Sequence, residues 1–394
     1  MTGSPVINHC PACLGSSLTD FHAVESVPTN SCLLLDDMAD VEALPTGRLQ
    51  LAMCETCGFI TNRAFDPTLT EYSERYEETQ AFSECFVGWA EELAARWVAD
   101  HDLAGKTAIE IGCGKGEFLE FMVRAGLEGG TGIDPGVRPE RRDTDRIRWQ
   151  RAFFDDTYGQ ITEDAVVCRH TLEHIHDVRA FMQDVRTAIG DRDIPVLWEV
   201  PDVLRVLEEG AFWDLYYEHC AYFTAGSLVR LFRETGFEVT DVSLAYDDQY
   251  ILLEARPSGS DVAAPAALPL EDDVDVLRKA VRGFTEAFET RMEETRALVD
   301  EVAATGGRTV IWGSGSKGVS YLGALGEDTP IRYAVDINPH KHGKFIAGGG
   351  QEIVAPDFLR EYDPALVIAM NPVYTAEIQA ELDAMGSSAR LVAV

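Results

Sequence analysis

Residues 107–125 leave the chain little choice of architecture. Thr107–Ile111 is a short β-prone run, Gly112, Gly114 and Gly116 alternate with Cys113 and Lys115, and Glu117–Ala125 has helical spacing. Glycine adopts positive φ and lets backbone approach a ligand closely, so this turn reads as a binding loop between strand and helix. The alternation continues downstream. Strands are expected at Gly130–Asp134, Ala165–Cys168, Pro195–Val200, Val239–Leu244 and Tyr250–Ala255, with helices at Val178–Ile189 and Leu228–Thr235. Strands alternating with helices predict a parallel sheet covered on both faces.

The 394 residues exceed what one core usually organises, so two or three domains are expected. Upstream of the first glycine turn, Phe82, Phe86, Trp89, Leu93 and Trp97 predict a helix from about Tyr72 to Asp100. Pro257–Leu270 reads as a linker, followed by a long charged helix from Asp272 to Thr305 with an apolar stripe. A second α/β unit then starts, with strands at Thr309–Trp312, Ile331–Asp336, Leu366–Ala369 and Arg390–Val394 and a helix at Lys317–Leu325. The net charge of −34 argues against nucleic acid and against an anionic membrane surface. No apolar run approaches the ~18 residues a membrane span needs, and Met1–Asn8 lacks a signal-peptide pattern. A soluble cytoplasmic protein, monomer or weak dimer, is expected.

The nine cysteines are unevenly placed. Cys10, Cys13, Cys54 and Cys57 form two Cys-x-x-Cys pairs, a spacing that suits a closed structural zinc site of four thiolates. His9 and His22 are spare ligands that such a site does not require.

Three further constellations carry chemistry. In Glu110-x-Gly112-x-Gly114-x-Gly116 the acidic residue precedes the loop, and Asp134-Pro135 ends the next strand about twenty residues on, where a carboxylate can take both hydroxyls of an adenosine ribose. Asp164–His174 is a strand ending in His170 and Leu-Glu-His174. After the strand that follows, Tyr216, Tyr217, Glu218 and His219 cluster. A histidine oriented by a carboxylate suits general-base work near neutral pH, and a tyrosine hydroxyl suits an enolate oxygen. The same four residues equally suit a packed aromatic turn. The third is Gly313-Ser-Gly-Ser-Lys-Gly318 with Asp336 some twenty residues later, a dinucleotide fingerprint that supports a rival reading as a nicotinamide-linked oxidoreductase. Lys317 and the helix N-terminus there suit a phosphate. His340 and His342 read as a solvated turn beside Lys341 and Lys344.

Motif I of class I S-adenosylmethionine (SAM) methyltransferases resembles Glu110–Gly116, and that fold's fourth strand resembles Asp164–His174. The whole chain resembles the three-domain sugar C-methyltransferases, which act on nucleotide-linked keto-deoxysugars. Their Tyr-x-Glu-His signature followed by Tyr-Phe stands as Tyr216–His219 and Tyr222-Phe223, and Asn371–Tyr374 fits their last-domain strand end. The resemblance implies a zinc lobe (1–70), a Rossmann-like methyltransferase core (71–256) and a C-terminal Rossmann-like α/β domain that encloses the substrate (257–394). It implies SAM as methyl donor, held by Glu110, Gly112, Gly114, Gly116, Asp134, Pro135, His170 and Gln80. His219 becomes the base that removes the proton α to a ketone. Glu218 orients or charges it, Tyr216 and Tyr76 (or Tyr72) hold sugar and enolate, and His174 lies near the sugar. Two departures bear on the substrate. The family's Gly-Ser-Asn-Asp-Gly is here Gly112-Cys-Gly-Lys-Gly116, and its His-Gly-Gly-Ser is here Asp247-Asp-Gln-Tyr250. O- or N-methylation stays open, because a histidine base also suits a hydroxyl.

Overall fold

The computed structural model describes residues 7–72, 75–138, 140–259 and 267–394; residues 260–266 of the expected linker lie outside them. Three sheets organise the chain. The first strands are β1 (Leu18–Pro28), β2 (Thr46–Cys54) and β3 (Ile60–Asn62). The central region supplies β4 (Thr107–Ile111), β5 (Gly129–Ile133), β6 (Ile147–Gln150), β7 (Ala165–Arg169), β8 (Val196–Pro201), β9 (Ala221–Tyr222), β10 (Phe237–Ala245) and β11 (Tyr250–Pro257). The C-terminal region supplies β12 (Thr309–Trp312), β13 (Tyr333–Val335), β14 (Glu352–Val354), β15 (Leu366–Ala369) and β16 (Arg390–Ala393).

The central sheet has the order β10-β11-β8-β7-β4-β5-β6. Strands β8, β7, β4, β5 and β6 run parallel, and β11 enters antiparallel between β8 and β10. One antiparallel strand slotted next to last into a parallel sheet is the class I methyltransferase topology. The order reverses at β4, between β5 and β7, so the crevice beyond the carboxyl ends of β4, β5 and β7 is where a ligand belongs. The last sheet, β14-β13-β12-β15-β16, is parallel throughout and Rossmann-like.

Apolar periodicity explains the covering helices. In Glu117–Ala125, Phe118, Leu119, Phe121 and Met122 are buried, and in Val178–Ile189 the buried set is Val178, Phe181, Met182, Val185, Ala188 and Ile189. The long helix spans Val274–Ala304 and buries Leu277, Phe284, Met292 and Val299 along one stripe. The helix expected from Tyr72 begins only at Glu84, where the Ser83 side chain accepts from the Phe86 N–H. Residues 75–83 instead cross between the central and C-terminal regions. The Glu77 carboxylate accepts from Arg138 and Asn338, and Gln80 accepts from the Tyr374 hydroxyl at 2.6 Å.

The regions share their cores. Cys10, Cys54, Cys57 and Phe59 pack in one cluster with Trp198, Phe223 and Phe232 of the central region. A second cluster joins Leu51 and Ile60 to Phe284 of the long helix and Tyr321 of the last region. The first sheet is completed by β9 from the central region, giving β1-β2-β3-β9.

Candidate active site

A cavity of about 810 Å³ lies where the three regions meet. Its floor is the glycine turn. Gly112, Gly114 and Gly116 all have positive φ, at 69°, 52° and 84°. A Cβ on Gly112 would stand 1.9 Å from the Thr171 hydroxyl, and one on Gly116 would enter the Trp149 ring at 2.4 Å. The glycines at 112 and 116 are therefore demanded by packing as well as by φ. Asp134 follows β5, and its carboxylate accepts from the Gly114 N–H at 3.1 Å and the Gly136 N–H at 2.6 Å. Burial raises its pKa, against the pull of those two amides and Lys115. Pro135 and Gln80 also line the cavity. Glu110 accepts from the Leu119 N–H at 3.0 Å, so it fastens the helix to the strand end; burial pushes its carboxyl up to about 8.

A buried line of charges runs from the ends of β7 and β8 into the cavity. Arg169 donates twice to Glu199, at 2.8 and 3.1 Å. Glu199 also stands 2.6 Å from His170 Nε2, and His170 Nδ1 lies 3.5 Å from Glu173. Burial alone would neutralise His170, but the two carboxylates outweigh it and raise its pKa to about 9. Glu199 is pulled down to about 2, because Arg169 and His170 overcome the burial that opposes ionisation. His170 holds φ +47°, an uncommon backbone state for a non-glycine residue.

His219 also lines the cavity. Its ring is buried, packs on Tyr216 at 4.1 Å and stands edge-on to His174 at 4.8 Å. Burial, with His174 and His170 nearby, lowers its pKa well below the usual imidazole value, which keeps it neutral. The Tyr72 hydroxyl meets His174 Nδ1 at 2.9 Å, and the Tyr76 ring packs tilted against Tyr72 at 5.4 Å. Both tyrosines line the cavity, and Tyr72 is the one bonded to the histidine pair.

Glu218 is elsewhere. Its carboxylate accepts from Asn30 Nδ2, the Ser31 N–H and the Ser31 hydroxyl, and makes no hydrogen bond to His219 among the described residues. The expected orientation of His219 by Glu218 is thus corrected: successive residues of this turn point apart, and Glu218 faces the first region. The carboxylate within 4.8 Å of the His174 and His219 ring nitrogens is Glu173. Only the Leu-Glu-His spelling hinted at it.

The second glycine loop is engaged with its own partners. The Asp336 carboxylate accepts from the Ser314 N–H and hydroxyl and pairs with Lys341 at 3.4 Å. Lys317 pairs with Asp214 at 3.0 Å and donates to Gln249 at 3.2 Å. His342 is tied to the Asp336 carbonyl at 2.7 Å and His340 meets Arg138 at 3.0 Å, so neither is merely solvated.

The four cysteines converge outside the cavity. The Cys10–Cys57 and Cys13–Cys54 sulfurs are 3.6 Å apart, and all four lie within 4.8 Å of one another. A tetrahedron with Zn–S bonds of ~2.3 Å has edges of ~3.8 Å, so the cluster fits a closed four-thiolate zinc site. His22 takes no part; its ring packs between Phe284 and Phe288 at 5.1 and 5.0 Å.

Residues 83–242 match the methyltransferase domain family, and residues 256–393 match the C-methyltransferase C-terminal domain family. The chain is similar to C-methyltransferase NovU of Streptomyces niveus, 26% identical over 94% of this chain and 91% of that protein. A ubiquinone biosynthesis O-methyltransferase of Stutzerimonas stutzeri is 32% identical over 25% of this chain and 46% of its own length. A solved Burkholderia thailandensis 1,6-didemethyltoxoflavin-N1-methyltransferase overlaps 43% of this chain and 79% of its own, 17% identical, with a TM-score of 0.36. Sheet order, glycine turn and domain match define a SAM-dependent methyltransferase with a class I core. Its paired methyltransferase and C-methyltransferase C-terminal domains, with its likeness to NovU along nearly the whole chain, support the C-methyltransferase family.

Proposed function

We propose that the protein methylates a carbon α to the ketone of a nucleotide-linked keto-deoxysugar, with His219 as general base. The observation that carries this reading is a neutral, buried imidazole on the wall of the cavity whose floor is the glycine turn. The sugar class rests on the family resemblance of Tyr216–His219 and of the chain as a whole.

Bound SAM supplies a methyl carbon on a sulfonium, an electrophile that needs no further activation. The chain then has to generate a carbanion and align it. His219 takes the α proton, and the C–H electron pair moves into the enolate. Tyr216, Tyr72 and Tyr76 offer hydroxyls to the sugar and to the enolate oxygen. Gly112, Gly114, Asp134, Pro135 and Gln80 hold the donor, with His170 beside them. Glu110 and Gly116 shape the turn from behind. The four cysteines hold structural zinc.

Isothermal titration with S-adenosylhomocysteine and a methyl-transfer assay test the reading together. Asp134→Ala is expected to weaken S-adenosylhomocysteine binding at least tenfold. His219→Ala is expected to keep binding within threefold and to lose ~10²–10⁴ in methyl transfer, the usual weight of a general base. Methyl transfer that survives His219→Ala overturns the base assignment. The oxidoreductase alternative predicts NAD(P)H binding at Gly313–Gly318. Its ribose-facing carboxylate, Asp336, is taken up by Ser314 and Lys341.

A further inference from the structure

We infer that Glu173 is the positioning residue for the base: its carboxylate supports the imidazolium that His219 becomes when it takes the α proton. The inference rests on the preceding reading of His219. Glu173 is 2% exposed, lines the cavity, and has neither side-chain oxygen hydrogen-bonded among the described residues. Buried polar groups left without partners are rare in folded proteins, and a buried carboxylate is expensive unless a cation faces it. The cation already near it is His170, at 3.5 Å from Nδ1 and itself fixed by Glu199. Arg169, Glu199, His170 and Glu173 thus alternate in sign, and the series points at the His174–His219 pair.

Around His219 stand Glu173 and His174 on the short helix Leu172–His174, Tyr216 and Tyr222 on its own segment, and His170 at the end of β7. Among these, Glu173 is the one carboxylate. Before proton transfer His219 is neutral and Glu173 faces the fixed His170. As the α C–H bond breaks, the proton goes to a His219 nitrogen and its electron pair to the enolate. Glu173 then lies beside a new positive charge in a buried site. When the C–C bond has formed and the methyl–sulfur bond has broken, the enolate is gone and His219 returns its proton to solvent.

The test uses the full-length, zinc-loaded chain with S-adenosylhomocysteine and a nucleoside-diphosphate keto-deoxysugar deuterated α to its ketone. Loss of deuterium to water reports proton abstraction without methyl transfer. Glu173→Gln is expected to slow this exchange at least thirtyfold, with KM and S-adenosylhomocysteine binding within threefold. Glu173→Asp is expected to restore part of the rate. In the absence of sugar, the His219 ring nitrogens of labelled protein are expected to stay neutral to lower pH in Glu173→Gln than in the parent. The acid limb of the exchange pH profile should move down with them. An exchange rate within threefold of the parent, or His219 signals that titrate alike in both proteins, overturns the inference. Failure of the parent reading looks different: the unaltered protein then washes out no deuterium, and His219→Ala leaves methyl transfer intact.

Discussion

At the scale of single residues, the charge chemistry beside the cavity makes a pH prediction. Glu199 is fully buried, and its carboxyl is held at about 2 against an ordinary 4.5. A carboxyl depressed by folding adds stability above the unfolded value and loses it as pH falls through the folded one. The Glu199 pairing is therefore fully present above about pH 4.5 and lost between about 4.5 and 2. Removing one member of a buried pair leaves an uncompensated charge and typically destabilises by ~3–5 kcal/mol. Glu199→Gln leaves Arg169 and His170 facing a neutral amide, so urea melts at pH 6 should show a loss of that size. The gap should close toward pH 3. An equal gap at both pH values would mean that packing, not charge, carries the effect. At this scale the sequence was an uneven guide. Gly112 and Asp134 could be named from spacing, because their environment is the strand–turn–helix that the spacing itself creates; His219 was singled out by the family resemblance of Tyr216–His219. Glu218 and Glu173 could not be told apart. Which of two acids faces His219 depends on how the Tyr216–His219 turn and the short helix Leu172–His174 are oriented, and no periodicity records that.

Whole elements were more legible, for a physical reason. Thr107–Ile111, Glu117–Ala125, Val178–Ile189, Thr309–Trp312 and Leu366–Ala369 begin and end where apolar period and glycine or cap signals change. The errors fall where distant partners decide. Residues 75–83 are held by Arg138, Asn338, Tyr374 and Glu377, up to 294 residues away, so a helical spacing upstream of Ser83 is overridden. The two-residue strand β9 exists because β3 is beside it. One junction between elements is set by a single glycine. Gly210 ends the helix Val203–Glu209 with φ +64°, and a Cβ there would stand 2.5 Å from the Ala287 carbonyl of the long helix. Gly210→Ala thus combines a left-handed backbone state with a backbone clash, a strain of ~1–3 kcal/mol or more. The expected result is faster amide exchange across residues 274–304 and a lower Tm, with S-adenosylhomocysteine binding unchanged. Exchange that quickens over the glycine turn instead would show that the long helix supports the central sheet directly.

Over the whole molecule, the four-cysteine cluster and His219 belong to one mechanical unit. Cys54 ends β2, Cys57 closes the turn that leads to β3, and β3 pairs with β9 through Ile60–Tyr222 and Thr61–Ala221. His219 lies two residues before β9, and Glu218 is anchored to Asn30 and Ser31 of the same region. The wall that carries His219 is thus built partly on the first sheet, whereas the glycine turn and Asp134 belong to the central sheet. A four-thiolate zinc site contributes folding energy to the lobe that holds it, and such lobes loosen without metal. Chelation, or Cys54→Ser, is therefore expected to separate the two halves of the reaction. Methyl transfer should fall by two orders of magnitude or more, while S-adenosylhomocysteine binding stays within about fivefold. Hydrogen exchange should rise over residues 46–62 and 216–223 together, because β3 and β9 lose each other as partners. Loss of S-adenosylhomocysteine binding in parallel with methyl transfer would mean that the shared core of Cys10, Cys57, Trp198 and Phe232 couples the regions into one cooperative fold. In that case the lobe is part of the methyltransferase core and not a support for the His219 wall alone.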